Sequence, residues 1–238
     1  MERVYVTGVG VVSSLGYGRE AFLEASVAGR SAAREVALFD TSGMDRHIAC
    51  EVHDFRPRDF LSAAETRRTG RCSQFALAAS RMAVEHAGLR DDQLAGRRTA
   101  VIFGTTMGEA NLLGQLDRKW IHEGEQAVSL ARLPAYGTTL LPIHVARAFG
   151  AAGMVQTLPA ACAAGNYALG FGFVVLACGN ADLVAVAELG PQLLVEQLFV
   201  VGDHRVGGVE DARGGAVVLL ELDDPQVGVI DGELAQVF

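Results

Sequence analysis

The stretch Val155–Cys178, VQTLPAACAAGNYALGFGFVVLAC, decides how the chain is read. Four strand-favouring positions, Val155–Leu158, run into Pro159. A turn of small residues follows, and then a helical stretch over 163–178. All of this lies inside a longer run, Ala148–Ala181, that contains no Asp, Glu, Lys or Arg. The purely apolar piece, Tyr167–Cys178, is 12 residues long, whereas a membrane-spanning helix needs about 20. The run therefore reads as a deeply buried strand, turn and helix, with no membrane partner. A helix lying on one sheet face keeps a polar stripe toward water, and this one has none. A second layer of protein, from this chain or another, is expected to cover it.

Outward from that centre, strands alternate with helices. Val4–Val12 is rich in β-branched residues and closes at Ser13-Ser14-Leu15-Gly16. Ser73–Gly88 is helical, with Phe75, Ala78, Met82, Ala83 and Ala87 on one face and Arg81 and Glu85 on another. Thr99–Gly104 is a short buried strand, Thr139–Phe149 a helix and Asp182–Glu188 a strand. Two last strands, Gly215–Leu222 and Gly228–Asp231, flank Asp223-Asp224-Pro225. This alternation predicts an α/β fold with a largely parallel, layered sheet. Residues 1–238 read as a single domain, with excursions off the sheet at about 31–68 and 109–136.

Composition narrows the partners. The 238 residues carry a net charge of −8, and Lys119 is the sole lysine. Binding to a phosphate backbone is driven by Lys and Arg, so nucleic acid is excluded as a partner. The cysteines at 50, 72, 162 and 178 form no CxxC pair and have no histidine at zinc-ligand spacing, so neither disulfides nor a metal are expected. Gly8 and Gly10 begin a G-x-G, but Ser13 fills the third position and the dinucleotide fingerprint fails. The pair reads instead as a tight strand end against a neighbouring backbone, and no cofactor is indicated. The N-terminus, MERVYVTGVG, lacks the order of a signal peptide, and a cytoplasmic location is expected.

One residue in the central stretch carries chemistry. Cys162 sits where a strand turns sharply into a helix, beside backbone N–H groups that the helix leaves unpaired. The helix dipole favours thiolate over thiol there, and the N–H groups can hold a developing oxyanion. Small neighbours leave the sulfur open to a substrate. The alternative is an inert core cysteine, which is also the reading for Cys178.

Several segments, taken together, resemble a known family. They are RVYVTGVGVVSSLGYGREAFLEASVAGRSA (3–32), SQFALAASRMAVEHAGL (73–89), TAVIFGTTMGE (99–109), TLPAACAAGNYALGFGF (157–173) and ADLVAVAELGP (181–191). Their order resembles that of the elongating β-ketoacyl-[acyl-carrier-protein] synthases of the thiolase fold, which include the chain-length factors. HRVGGVEDARGGAVVLLEL (204–222) is a degraded match to the family's F-D-x-x-R-D-G-F-V-x-G-E-G-A-G run.

The resemblance implies a thiolase-like half, βαβαβαββ, without the second half of a five-layer αβαβα core. It places Cys162 on the acyl-accepting cysteine of the family's T-A-C-A-S-G motif. It makes Arg67, Arg68 and Arg71, just before the helix at 73–88, a contact for an acidic acyl carrier protein; solvated surface arginines are the other reading. It makes Val155, Gln156, Thr157 and Leu158 the strand that pairs across a dimer axis, with a full-length ketosynthase or a second copy as partner.

The family's catalytic histidines, active-site lysine and Gly-Phe-Gly-Gly loop belong to the other half, and none of His47, His53, His86, His122, His144 or His204 lies in a segment resembling those motifs. Arg213 stands where the family has the glutamate of E-G-A-G, and Val206-Gly207-Gly208-Val209 replaces R-D-G-F. Decarboxylative condensation is accordingly not expected from these residues alone. The resemblance thus implies acyl-thioester handling on Cys162 together with a partner ketosynthase. Its alternatives are a non-catalytic chain-length-factor-like subunit in a heterodimer, or a relic whose cysteine is unused.

Overall fold

A computed structural model describes residues 4–129, 137–189 and 214–222. Its centre is a six-stranded sheet. β1 (Val4–Ser13) forms a short hairpin with β2 (Gly16–Tyr17), and α1 (Arg19–Val27) follows. β5 (Thr99–Gly104), β6 (Val155–Leu158), β7 (Leu183–Leu189) and β8 (Gly214–Leu222) complete it, in the spatial order β2-β1-β8-β7-β5-β6. β5 pairs in parallel with both β6 and β7, while β8 runs antiparallel to β7 and to β1. Hence β1, β7, β5 and β6 point one way, and the expected largely parallel sheet carries a single long reversed strand in its middle. The strand read at 228–231 lies outside the described residues, as does the 204–213 part of the degraded motif.

Both faces of the sheet are covered. α3 (Arg71–His86) and α6 (Leu140–Phe149) pack on one side with Val101, Phe103, Leu183, Ala185 and Ala187. α7 (Ala164–Ala177) packs on the other with Ala100, Ile102, Val184 and Val186. Successive residues of β5 and β7 thus feed opposite cores, as the two-residue period of a strand dictates. A strand buried on both faces needs an unbroken apolar run, which TAVIFG provides.

Contact between α3 and β1 is made through small residues. A Cβ added to Gly8 would lie 2.2 Å from the carbonyl oxygen of Ala83, and one added to Gly10 would lie 2.0 Å from that of Ala79. The close approach to a neighbouring backbone is as read, but the glycines sit in the middle of β1, not at its end. A bulge between Val6 and Gly8 interrupts the ladder with β8. Two residues on, the Val9 N–H donates to Nδ1 of His86 at 2.9 Å.

The first excursion holds the two-stranded sheet β3 (Arg34–Glu35) and β4 (Ile48–Ala49), and the short helix α2 (Ala63–Arg68). α2 starts on a capping box between Ser62 and Glu65. Phe55 joins this region to the core, edge-on to Phe75 at 4.7 Å and stacked on Phe60 at 5.8 Å. After the one-turn α4 (Asp91–Leu94), the second excursion carries α5 (Ala110–Glu123), of which only Leu116 is buried.

Candidate active site

β6 lies at the sheet edge beside β5 and delivers the chain through Pro159 and Ala160 into a tight 3-10 turn, Ala161–Ala163. Cys162 is the middle residue of that turn and is exposed. α7 starts immediately afterwards at Ala164, and no side chain caps it. The Ala164 N–H is taken by the Ala161 carbonyl; the first-turn N–H groups that follow have no intrahelical acceptors and can face a carbonyl oxygen that gains charge when a nucleophile attacks.

Ala161, directly before the cysteine, has φ +47°; among the described residues it is the sole non-glycine at positive φ. For a residue with a Cβ this conformation costs about 1–2 kcal/mol and persists where its surroundings hold it. Two contacts do so. The Ala161 N–H donates to Oγ1 of Thr106 at 3.0 Å. Behind the turn, a Cβ on Gly104 would lie 2.2 Å from the carbonyl oxygen of Ala164, so the end of β5 rests against the backbone that starts α7.

The loop after β5 is anchored at its far end by Glu109, which is 2% exposed. Its carboxylate accepts the N–H groups of Cys72 (3.2 Å) and Ser73 (2.7 Å). Glu109 therefore caps α3 from a distant part of the chain, in the place left by Gly70 at the N-cap. Burial, reinforced by the Glu109 carboxylate, pushes the Cys72 thiol far above its ordinary range; held protonated, it is no nucleophile. Cys50 is buried too. Cys178 is exposed at the end of α7, which corrects its reading as a core residue. Among the described residues nothing covers one stripe of α7, where Tyr167, Phe173 and Val174 are exposed.

The three arginines separate. Arg67 and Arg68 are exposed in the last turn of α2, where cations favour the helix dipole. Arg71 is the first residue of α3; its guanidinium donates to the carbonyl of Val52 and lies over the Phe75 ring at 4.9 Å. It ties the first excursion to the core. In β6, Val155 and Gln156 are exposed and Thr157 is buried, and the outer edge of the strand pairs with no other strand among the described residues.

Burial lowers the pKa of His144, helped by Arg147 and opposed by Glu109. Neither Thr106 nor Glu109 is marked by the sequence reading; an acidic residue in the loop after a buried strand, at the end of TTMGE, is the available signal for the second. Among the described residues no His, Cys, Asp or Glu group has the arrangement to hold a metal ion, and no helix is long and apolar enough to cross a membrane.

Known structures share this fold. The ishigamide ketosynthase/chain length factor matches 93% of this chain and 58% of its own, at 30% identity and a TM-score of 0.78. A beta-ketoacyl synthase from Burkholderia phymatum STM815 has the same fold, with a TM-score of 0.71 over 94% of this chain and 60% of its own at 23% identity. The protein is thus of the α/β thiolase-like ketosynthase class. Residues 1–200 match the family model for the beta-ketoacyl synthase N-terminal domain, and the chain belongs to that family of polyketide and fatty-acid biosynthesis. A Streptomyces halstedii protein named as a polyketide beta-ketoacyl synthase 1 is 34% identical over 189 residues, which are 76% of this chain and 44% of that one. The 3-oxoacyl-[acyl-carrier-protein] synthase 2 of Staphylococcus aureus strain COL is 27% identical over 201 residues, 84% of this chain and 48% of its own. The chain therefore spans less than half the length of these relatives.

Proposed function

We propose that residues 1–238 work as one ketosynthase N-terminal domain that accepts an acyl group on Cys162 from an acyl carrier protein. The observation that carries this reading is the exposed Cys162 in a strained turn at the uncapped start of α7. The Cys162 sulfur attacks the thioester carbonyl, forming a new carbon–sulfur bond as the bond to the carrier's thiol breaks. The cysteine proton ends on the departing carrier sulfur, so the exchange is redox-neutral. The first-turn N–H groups of α7 stabilise the tetrahedral oxyanion.

Arg67 and Arg68, exposed and adjacent, suit an acidic carrier surface. The unpaired edge of β6 suits pairing with another ketosynthase subunit, which would also cover the exposed stripe of α7. Condensation needs further groups to stabilise an enolate; in this reading they come from a complementary ketosynthase half.

Intact-mass measurement after mixing with acyl-loaded carrier protein tests the proposal. A gain equal to the acyl group, abolished in Cys162→Ala, is the expected result. No gain in the presence of a ketosynthase partner favours the second reading, a chain-length-factor-like subunit that shapes a partner's pocket. Arg213 at the E-G-A-G position is the observation on that side.

A further inference from the structure

We propose that Thr106 is the positioning residue of the Cys162 turn, an inference that rests on the acyl-acceptor reading of that cysteine. Ala161 holds a conformation its side chain disfavours, and the residue that follows it is the nucleophile. Left alone, the turn relaxes to negative φ and carries Cys162 away from the start of α7. The Thr106 hydroxyl oxygen opposes this by accepting the Ala161 N–H across 55 residues of sequence.

Thr106 is itself well placed to hold. It lies two residues beyond β5, every residue of which is buried. Gly104 in that strand rests directly against the Ala164 carbonyl. At its other end the loop is fixed by the buried Glu109 carboxylate on the N–H groups of Cys72 and Ser73. Between them, the Thr105 hydroxyl accepts the Gly108 N–H at 3.4 Å. A loop pinned at both ends therefore presents a single oxygen to the strained residue. The role needs a hydroxyl and not merely bulk, because valine fills the same volume without accepting a hydrogen bond.

Two exposed cysteines at opposite ends of α7 supply the assay. The full chain is treated with iodoacetamide, and labelling rates at each cysteine are read by peptide mass spectrometry. Cys178 is the internal reference, and the buried Cys50 and Cys72 report on the fold. Thr106→Val is expected to slow Cys162 relative to Cys178 by roughly five- to tenfold, the effect of one hydrogen bond. Thr106→Ser restores the wild-type ratio. If valine opens the fold, seen as labelling of Cys50 and Cys72, Thr106→Ala carries the same expectation.

An unchanged Cys162-to-Cys178 ratio overturns the proposal, as does a serine variant as slow as valine. Acyl transfer from carrier protein, followed in the same variants, separates the two readings. Thr106-dependent alkylation without any acylation refutes the acyl-acceptor reading and leaves the positioning role standing. Acylation indifferent to Thr106→Val refutes the positioning role alone.

Discussion

Replacing Gly104 with alanine puts a methyl carbon 2.2 Å from the carbonyl oxygen of Ala164 and 2.4 Å from its carbon. Ordinary contact begins near 3.4 Å, so β5 and the start of α7 must part by about an ångström. Both neighbours are backbone, and no rotamer change relieves the clash. Two effects compete. Glycine-to-alanine stiffens the unfolded chain and favours folding by about 0.4–1 kcal/mol, while overpacking costs about 1–3 kcal/mol. With both neighbours backbone the second wins, for a net loss of roughly 1–2 kcal/mol, or about 2–8 °C in melting temperature for a chain this long.

The same shift displaces the Cys162 turn, so alkylation of Cys162 falls while that of Cys178 holds. Gly114→Ala is the control. It lies inside α5 with nothing within 4 Å of the new methyl, so helix propensity alone acts and stability rises by about 1 kcal/mol. Differential scanning fluorimetry and peptide-resolved labelling read both outcomes. Gly104→Ala melting at or above wild type, with Cys162 labelled normally, would refute the packing argument.

Five further outcomes are expected. Burial lowers the pKa of His86 from its ordinary 6.5, so the stability it contributes as a neutral acceptor is complete above that value and is lost as pH falls through the lower folded-state pKa. Urea midpoints should drop as pH falls below 6.5, and less steeply in His86→Gln. Glu109→Gln keeps one acceptor for two N–H groups and should lose about 1.5–3 kcal/mol by chemical denaturation; a stability equal to wild type counts against the distant cap. Arg67→Glu with Arg68→Glu should weaken carrier-protein binding and flatten its salt dependence in titration calorimetry. Arg71→Glu should instead lower the melting temperature. Val155→Asp at the β6 edge should prevent association by light scattering, and a wild-type 25.1 kDa monomer at micromolar concentration would contradict the dimer strand.

What could be read from the residues was what depends on near neighbours. The bounds of β5 and β6 were legible because each is a short β-rich segment: TAVIFG ends at its own glycine, and VQTL stops at Pro159. The turn at Cys162 was legible for the same reason. The start of α3 was placed two residues late, because its capping carboxylate comes from Glu109 and leaves no local cap to see. Cys178 was misjudged because a helix apolar on all sides does not say which side the fold leaves open. Gly8 and Gly10 announced a close approach, but only the packing of α3 places it in mid-strand. Thr106 left no sequence signal, since its role exists only once residue 161 is folded beside it.

The position of β8 governs the order in which the molecule can be completed. β1 reaches the rest of the main sheet only through β8, where Val4 pairs with Leu222 and Ser13 with Gly214. Until residues 214–222 have left the ribosome, the amino-terminal hairpin and the β7-β5-β6 block share no strand pairing and meet only through helix packing, α3 on one face and Val4 and Val6 against the α7 core on the other. Pairing across almost the whole described chain is slow to form, and in the interval β1 and β7 each hold an unfilled edge. A nascent chain paused before β8 leaves both of those edges open to pairing with another molecule.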